Sequence, residues 1–292
     1  MWLSYLQQTN ERQLADDYDG RLLVWDIDKT YLNTQFSSFW GLARIPFEGA
    51  LDKEAIPGAV PLIRALRHGP SSTSEIVPLY FISGSPLQLR PVIERKMLLD
   101  GVDFDGVTFK DQWGLLRARR PKDVTLQVGY KLKALLAYRQ QMPQNARWLM
   151  FGDDAEADAD IFVLFGQVCA GLRGEELKAR LDASAVHPKD QAEIFKLCEQ
   201  MPVGVDPVEL IGIRQVRRRP VVDDPRVVVA HNYLTTALVV AHRGHIQPDA
   251  VGNVARALRR RGVTDADLDA AIKQATERFG VSADLVEIAE RR

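Results

Sequence analysis

The sequence predicts an α/β fold in which a Rossmann-like parallel sheet carries the site and a small helical C-terminal unit follows it. Three observations predict this. Apolar runs rich in branched and aromatic residues, Leu22 to Trp25, Val77 to Ile82 and Trp148 to Phe151, read as strands buried on both faces. Segments with helical apolar spacing separate them, the alternation expected of a parallel sheet with crossover helices. Each run ends in polar residues, and in such a sheet the strand ends share one edge, where open α/β folds bind ligands.

Met1 to Asp19 is a short, partly amphipathic lead-in. The first strand runs into Asp26-Ile27-Asp28-Lys29-Thr30. Because side chains alternate along a strand, Asp26 and Asp28 should point to the same side, into the crevice. Two like charges so close repel unless a divalent cation lies between them or one holds a proton. Tyr31 to Ala55 carries Phe36, Phe39, Trp40 and Phe47 and reads either as a flap or as a loop packed down by its aromatics. Pro57-Gly58 opens a helix with Val60, Ile63 and Leu66 on one face, Gly69-Pro70 ends it, and Ser71 to Glu75 is a polar loop.

The second strand ends in Ser83-Gly84-Ser85-Pro86, ahead of a helix over Leu87 to Leu99. A small-residue turn at that junction offers N–H and hydroxyl groups to an anion, though plain capping turns look the same. Gly106 to Lys110 reads as a short strand, and Trp113 to Asp123 as a loop because its charges form no helical stripe. The helix from Tyr130 has Leu132, Leu135, Leu136 and Met142 as core positions. Lys131 near its start conflicts with the helix dipole, a mild sign of function. The third strand leads into five acids within residues 153–160: Asp153, Asp154, Glu156, Asp158 and Asp160. They would repel without a cation, and a hard cation such as magnesium prefers carboxylate oxygens.

With 292 residues, 46% of them apolar, and a net charge of −1, the chain can bury a large core and has no overall pull toward nucleic acid or anionic lipid. Cys169 and Cys198 lack metal-ligand spacing, which implies a reducing compartment. The first residues show no secretory signal and no stretch is long enough to span a bilayer, so the expected location is cytoplasmic. Two units are expected, 1–202 and 203–292. After helices over Glu175 to Leu181 and Lys189 to Met201, Pro202 to Pro225 reads as a connector. Val227 to His242, Asp249 to Arg261, Asp265 to Phe279 and Ala283 to Glu290 read as helices, with caps at Thr264 and Ser282 and a stop at Gly262. The runs Arg217 to Arg219 and Arg259 to Arg261 are of a kind that touches phosphate backbones or anionic headgroups, but acids balance them and solvated faces are the commoner reading. His231, His242 and His245 lack a partnering Cys or acid pattern and read as ordinary side chains.

Taken in order, Asp26 and Asp28, Ser83, Lys131, and Gly152-Asp153 with Asp158 resemble the four motifs of the haloacid dehalogenase (HAD) superfamily of phosphate-handling enzymes. The resemblance narrows on three stretches: Ile82-Ser83-Gly84-Ser85-Pro86, Lys131 twelve residues before Pro143, and Gly152-Asp153 followed by Asp158-Ala159-Asp160-Ile161-Phe162. Over Leu22 to Gly171 these are similar to the catalytic domain of the actin-patch-associated phosphatidate phosphatase family, which Pro57-Gly58 also fits. The chain departs from that family at Lys29, Gly84 and Asp154, where aspartate, asparagine and serine are favoured.

The resemblance implies an HAD-like core at 1–202 and a magnesium-dependent phosphomonoester hydrolase working through an aspartyl phosphate, on phosphatidate or another lipid phosphate. It implies Asp26 as the nucleophile. Asp28 would be the acid that protonates the leaving oxygen and then activates water, with a pKa above that of an isolated aspartate. Ser83 and Lys131 would hold phosphoryl oxygens. Mg2+ would sit on Asp26, the backbone carbonyl of Asp28 and Asp153, with Asp158 or Asp154 in support, and Thr30 would tie down the loop. Alternatives are a nucleic-acid end phosphatase, an aspartyl-phosphate phosphotransferase, or a non-catalytic module that binds a phosphorylated ligand. The expected partner is a phosphorylated small molecule or lipid, with nucleic acid the weaker alternative; the sequence does not set an oligomeric state.

Overall fold

Side chains of the first long strand alternate between two buried layers. Leu22 and Val24 pack to one side of the sheet, and Leu23, Trp25 and Ile27 pack to the other. A strand buried on both faces needs helices on both faces, and the computed structural model, which describes residues 3–33, 54–71, 76–120, 122 and 126–291, has them.

The strands are β1 (Leu6–Gln8), β2 (Arg21–Asp26), β3 (Leu79–Pro86), β4 (Gly106–Lys110), β5 (Arg147–Asp153), β6 (Val208–Arg214) and β7 (Val227–Ala230). They form a seven-stranded sheet in the order β1-β4-β3-β2-β5-β6-β7, parallel except for β1, which runs antiparallel to β4. One face is covered by α1 (Ala59–His68), α2 (Arg90–Leu99), α8 (Tyr233–His242), α9 (Asp249–Arg260), α10 (Asp265–Phe279) and α11 (Ala283–Glu290). The other is covered by α4 (Val128–Gln141), α5 (Asp158–Cys169), α6 (Gly174–Ala183) and α7 (Pro188–Glu199). Trp25 stacks on Phe151 with ring centroids 4.4 Å apart, locking β2 to β5 at the centre.

The expected α1 start is present: Gly58 takes φ +82°, where a side chain would be strained, and lies against Tyr233 and Leu258. Other expectations need correcting. Residues 113–117, expected as part of a loop, belong instead to a short helix, α3 (Gln112–Arg117), because the Asp111 carboxylate accepts the Gly114 N–H at 2.8 Å and Gln112 and Leu115 turn inward. The Ser83 to Pro86 turn is the irregular end of β3 itself, with its register against β4 shifting between Ser83 and Pro86.

The expected connector Pro202 to Pro225 contains β6, whose Leu210, Ile211 and Ile213 are buried. The expected helix Val227 to His242 begins instead as β7. Its valines pair with β6, and the chain turns helical only after Asn232, whose side chain accepts the Leu234 N–H at 2.9 Å. The sheet therefore runs on across position 202. The aromatic stretch with Phe36, Phe39, Trp40 and Phe47 lies outside the described residues. Both cysteines are buried free thiols, and among the described residues no helix is long and apolar enough to cross a membrane.

Candidate active site

Asp26 is the last residue of β2, and Asp153 is the last of the neighbouring β5, so the parallel pairing of these strands brings the two carboxylates to the same edge. Asp158 joins them from the first turn of α5, where the dipole favours an acid. Oxygens of Asp26, Asp153 and Asp158 lie within 4.8 Å of one another, and all three residues are buried. Gly152 makes this possible, since a Cβ there would run into the Asp158 carboxylate.

Lys131, from the first turn of α4, enters the cluster. Its Nζ lies 2.5 Å from Asp158 Oδ1, 2.7 Å from Asp26 Oδ1 and 3.2 Å from Glu156 Oε2, at 1% exposure. Asp158 Oδ2 accepts the Asp153 N–H at 3.1 Å. Both oxygens of Asp26 and one of Asp153 are buried and accept no hydrogen bond among the described residues, Lys131 reaching Asp26 Oδ1 as an ion pair.

The second acid of the first motif is held differently. Asp28 accepts from Ser83 Oγ at 2.9 Å and from Ser85 Oγ at 2.7 Å, while Ser83 Oγ itself accepts the Ser85 N–H at 3.0 Å. The Tyr130 hydroxyl, one residue before Lys131, donates to the Ser83 carbonyl at 2.6 Å, tying α4 to the end of β3. The loop after β2 is fixed by Arg214, whose guanidinium donates to the Lys29 carbonyl at 2.8 Å, and by the Tyr233 hydroxyl, which donates to the Thr30 carbonyl at 2.6 Å.

The electrostatics show a deficit of positive charge. Burial pushes Asp26 well above the usual carboxylate range; Lys131 pulls it back only in part, and Asp158, Glu156 and Asp28 add to the rise. Burial also carries Asp153 up to about 7, with Asp158 adding to it, and Asp158 rises for the same first reason. Lys131 would be pulled down by burial, but Asp158, Asp26 and Glu156 together outweigh this and hold it charged. Glu156 is raised by burial yet ends below its usual value, because Lys131 and Lys29 both face it. Four carboxylates, Asp26, Asp153, Glu156 and Asp158, thus surround two ammonium groups, Lys131 and Lys29. Even before Asp28 is counted, acids outnumber ammonium groups among the described residues here, and such an excess suits a divalent cation that takes oxygen ligands.

Residues 21–169, just over half of the 292, match the family model described as Phosphatidate phosphatase APP1, catalytic domain. The chain belongs to this family. No curated protein and no solved structure matches it. The phosphatidate phosphatase match spans β2 to α5 and so includes every motif position, but it stops before β6 and β7, which complete the sheet.

Of the residues picked out in the sequence, Asp26, Asp28, Ser83, Lys131, Asp153 and Asp158 come together at this edge. Asp154 does not join them: its carboxylate accepts the backbone N–H groups of Val216, Arg217 and Arg219 at 2.6, 2.8 and 3.1 Å, and so holds the loop after β6. The other departures from the phosphatidate phosphatase pattern also have places. Lys29 lies 3.4 Å from Glu156, and Gly84 leaves room for the Gln127 amide. Sequence reasoning named Ser85 and Glu156 within their stretches but gave neither a role of its own. The spacing of Ser83 and Ser85 was the available signal for the first, since residues two apart on a strand share a side. His231 and His242 are exposed while His245 is buried, so the three do not form a site.

Proposed function

We propose that the protein is a metal-dependent phosphomonoester hydrolase of the HAD type, acting on phosphatidate or another lipid phosphate. The observation that carries this reading is Asp26, a buried carboxylate that is ion-paired with Lys131 and lies beside two further carboxylates able to share a cation with it. Family membership supplies the substrate class.

Asp26 attacks phosphorus, and the bond to the leaving oxygen breaks as Asp28 gives that oxygen a proton. The products of this half are an alcohol and an aspartyl phosphate on Asp26. In the second half Asp28 takes a proton from water, the hydroxide attacks phosphorus, and Asp26 leaves as a carboxylate. Ser83 and Ser85 orient the Asp28 carboxyl for both transfers. Lys131 stays charged through both and stabilises the negative charge that develops on the phosphoryl oxygens. Asp26, Asp153 and Asp158 would hold magnesium. When bound, the ion would offset the repulsion between an anionic nucleophile and an anionic phosphate.

The test is Asp26→Asn. We expect hydrolysis of an aryl phosphate to fall to background, with far-UV circular dichroism unchanged and the thermal midpoint no lower than that of the parent, since one of several crowded buried carboxylates has been neutralised while Lys131 keeps Asp158 and Glu156 as partners. Activity close to wild type would mean that another group is the nucleophile. Phosphatidate should be hydrolysed in preference to a 3′-phosphorylated oligonucleotide.

A further inference from the structure

The arginines of this protein are distributed unequally between the two edges of the sheet. At the edge where the strands begin, five of them are paired with acids, and Arg139 and Arg173 donate to backbone carbonyls. Arg12 and Arg67 both reach Asp105, Arg21 and Arg147 reach Glu209, and Arg226 bridges Asp206 and Asp224. At the edge where the strands end, Arg117 and Arg119 follow β4, and Arg217 and Arg218 follow β6. All four are exposed, and among the described residues none of their side chains makes an ion pair. The two groups lie four strand positions apart, roughly 19 Å at the usual spacing, with the acid cluster of β2 and β5 between them.

Two further features show that these positions are built. Arg119 and Arg218, one on each flank, are held at φ +58° and +53°, a left-handed conformation that is costly for a residue with a Cβ and would suit glycine better. The loop bearing Arg217 and Arg218 is anchored by the three N–H bonds to Asp154 and by Arg219, whose guanidinium donates to the Ala155 carbonyl at 3.3 Å. Asp154 follows directly on Asp153, so the arginine loop is fastened to the acid cluster itself. Trp113, Leu126 and Val216 stand on the same edge at 41%, 38% and 38% exposure, which adds apolar surface among the positive charges.

An edge that carries four exposed arginines without ion pairs among the described residues, together with exposed apolar side chains, beside a phosphate-handling site complements a surface of negative headgroups. We propose that this edge, with Arg117 and Arg119 on one flank of the acid cluster and Arg217 and Arg218 on the other, is the face on which the protein docks to an anionic lipid surface. The inference rests on the lipid-phosphate reading above and adds how a chain without a membrane-crossing helix among its described residues meets a substrate embedded in a bilayer.

The experiment is co-sedimentation of the full chain with vesicles of phosphatidylcholine alone and of phosphatidylcholine mixed with phosphatidylglycerol, neither of which is a phosphomonoester. Binding should appear only with the mixed vesicles and fade as salt is raised. R117Q/R119Q and R217Q/R218Q should each weaken binding by about fivefold per arginine, while hydrolysis of a soluble aryl phosphate stays at the wild-type rate. Equal binding to both vesicle types would overturn the proposal, as would variants that bind like wild type. A parallel loss of soluble-substrate hydrolysis would also overturn it, by assigning these arginines to the pocket instead. Because sedimentation needs no turnover, the two readings fail separately. Selective vesicle binding without hydrolysis upholds the docking face against the phosphatase reading, and hydrolysis without vesicle selectivity does the reverse.

Discussion

Lys131 and Lys133 stand two residues apart on α4 and are both almost wholly buried. Two residues turn a helix by about 200°, so the two ammonium groups look in nearly opposite directions. Lys133 meets Asp190 at 2.6 Å and Glu193 at 2.8 Å, with Arg120 completing the cluster through its own ion pair to Asp190. Among the described residues, two acids and two bases balance there. Asp190, although burial alone would raise it, is drawn below its usual pKa by Lys133 and Arg120. Around Lys131 the same ingredients leave acids in excess, and Asp26 and Asp153 are driven up instead. A buried ion cluster that closes on itself holds elements together, whereas one left short of positive charge is prepared for something that arrives from solution.

The sharpest way to break this contrast is to remove each lysine in turn. Lys131→Met should cut turnover by about 10² to 10³-fold, the usual cost of losing a group that stabilises transition-state charge. Lys133→Met should leave turnover within a few-fold of wild type but lower stability to urea by about 3 to 5 kcal/mol, because buried acids lose their partner. Equal losses of activity in the two variants would erase the distinction.

Magnesium sharpens it next. A ligand that binds only the folded state at a hundred times its dissociation constant stabilises by about 2.7 kcal/mol. Scanning calorimetry should therefore show the midpoint rising with magnesium in the wild type and in Asp190→Asn, but not in Asp153→Asn.

The smallest effect expected is one of pH. The folded pKa of Asp190 is depressed, so its contribution to stability is present above the unfolded value of about 3.9 and is lost as pH falls through the folded one. Urea unfolding should show the wild-type advantage over Asp190→Asn shrinking on acidification below about pH 4. An advantage independent of pH would mean that the pair is held by packing rather than charge.

Much of the site could be read from the chain because its parts are local. Asp26 and Asp28 sit at the end of an unmistakable apolar run, and Gly152-Asp153 sits at the end of another. Strand-end placement then follows from parallel pairing alone. What escaped depends on contacts made at long range or on merged patterns. In Val208 to Arg214, Glu209 and Gly212 interrupt the apolar pattern, so a strand that is short and edged by prolines looked like a connector. In Val227 to Ala230 three valines run into the apolar face of α8 with only His231 and Asn232 between, and two periodicities read as one helix. Asp154 looked like a metal ligand because it is adjacent to Asp153. Its real partners are backbone groups more than sixty residues away, and no spacing rule points to them.

The continuity of the sheet past position 202 bears on how the protein can be cut. A fragment ending at Cys169, where the family match stops, would strip β6 from β5 and leave an inner strand as a raw, apolar rim with unsatisfied amides, an invitation to aggregate. It would also lose Arg214 and Tyr233, the two side chains that clasp the loop following Asp26. The portion recognisable by descent is thus smaller than the portion able to stand alone, and excision for biochemical work should retain both later strands together with α8.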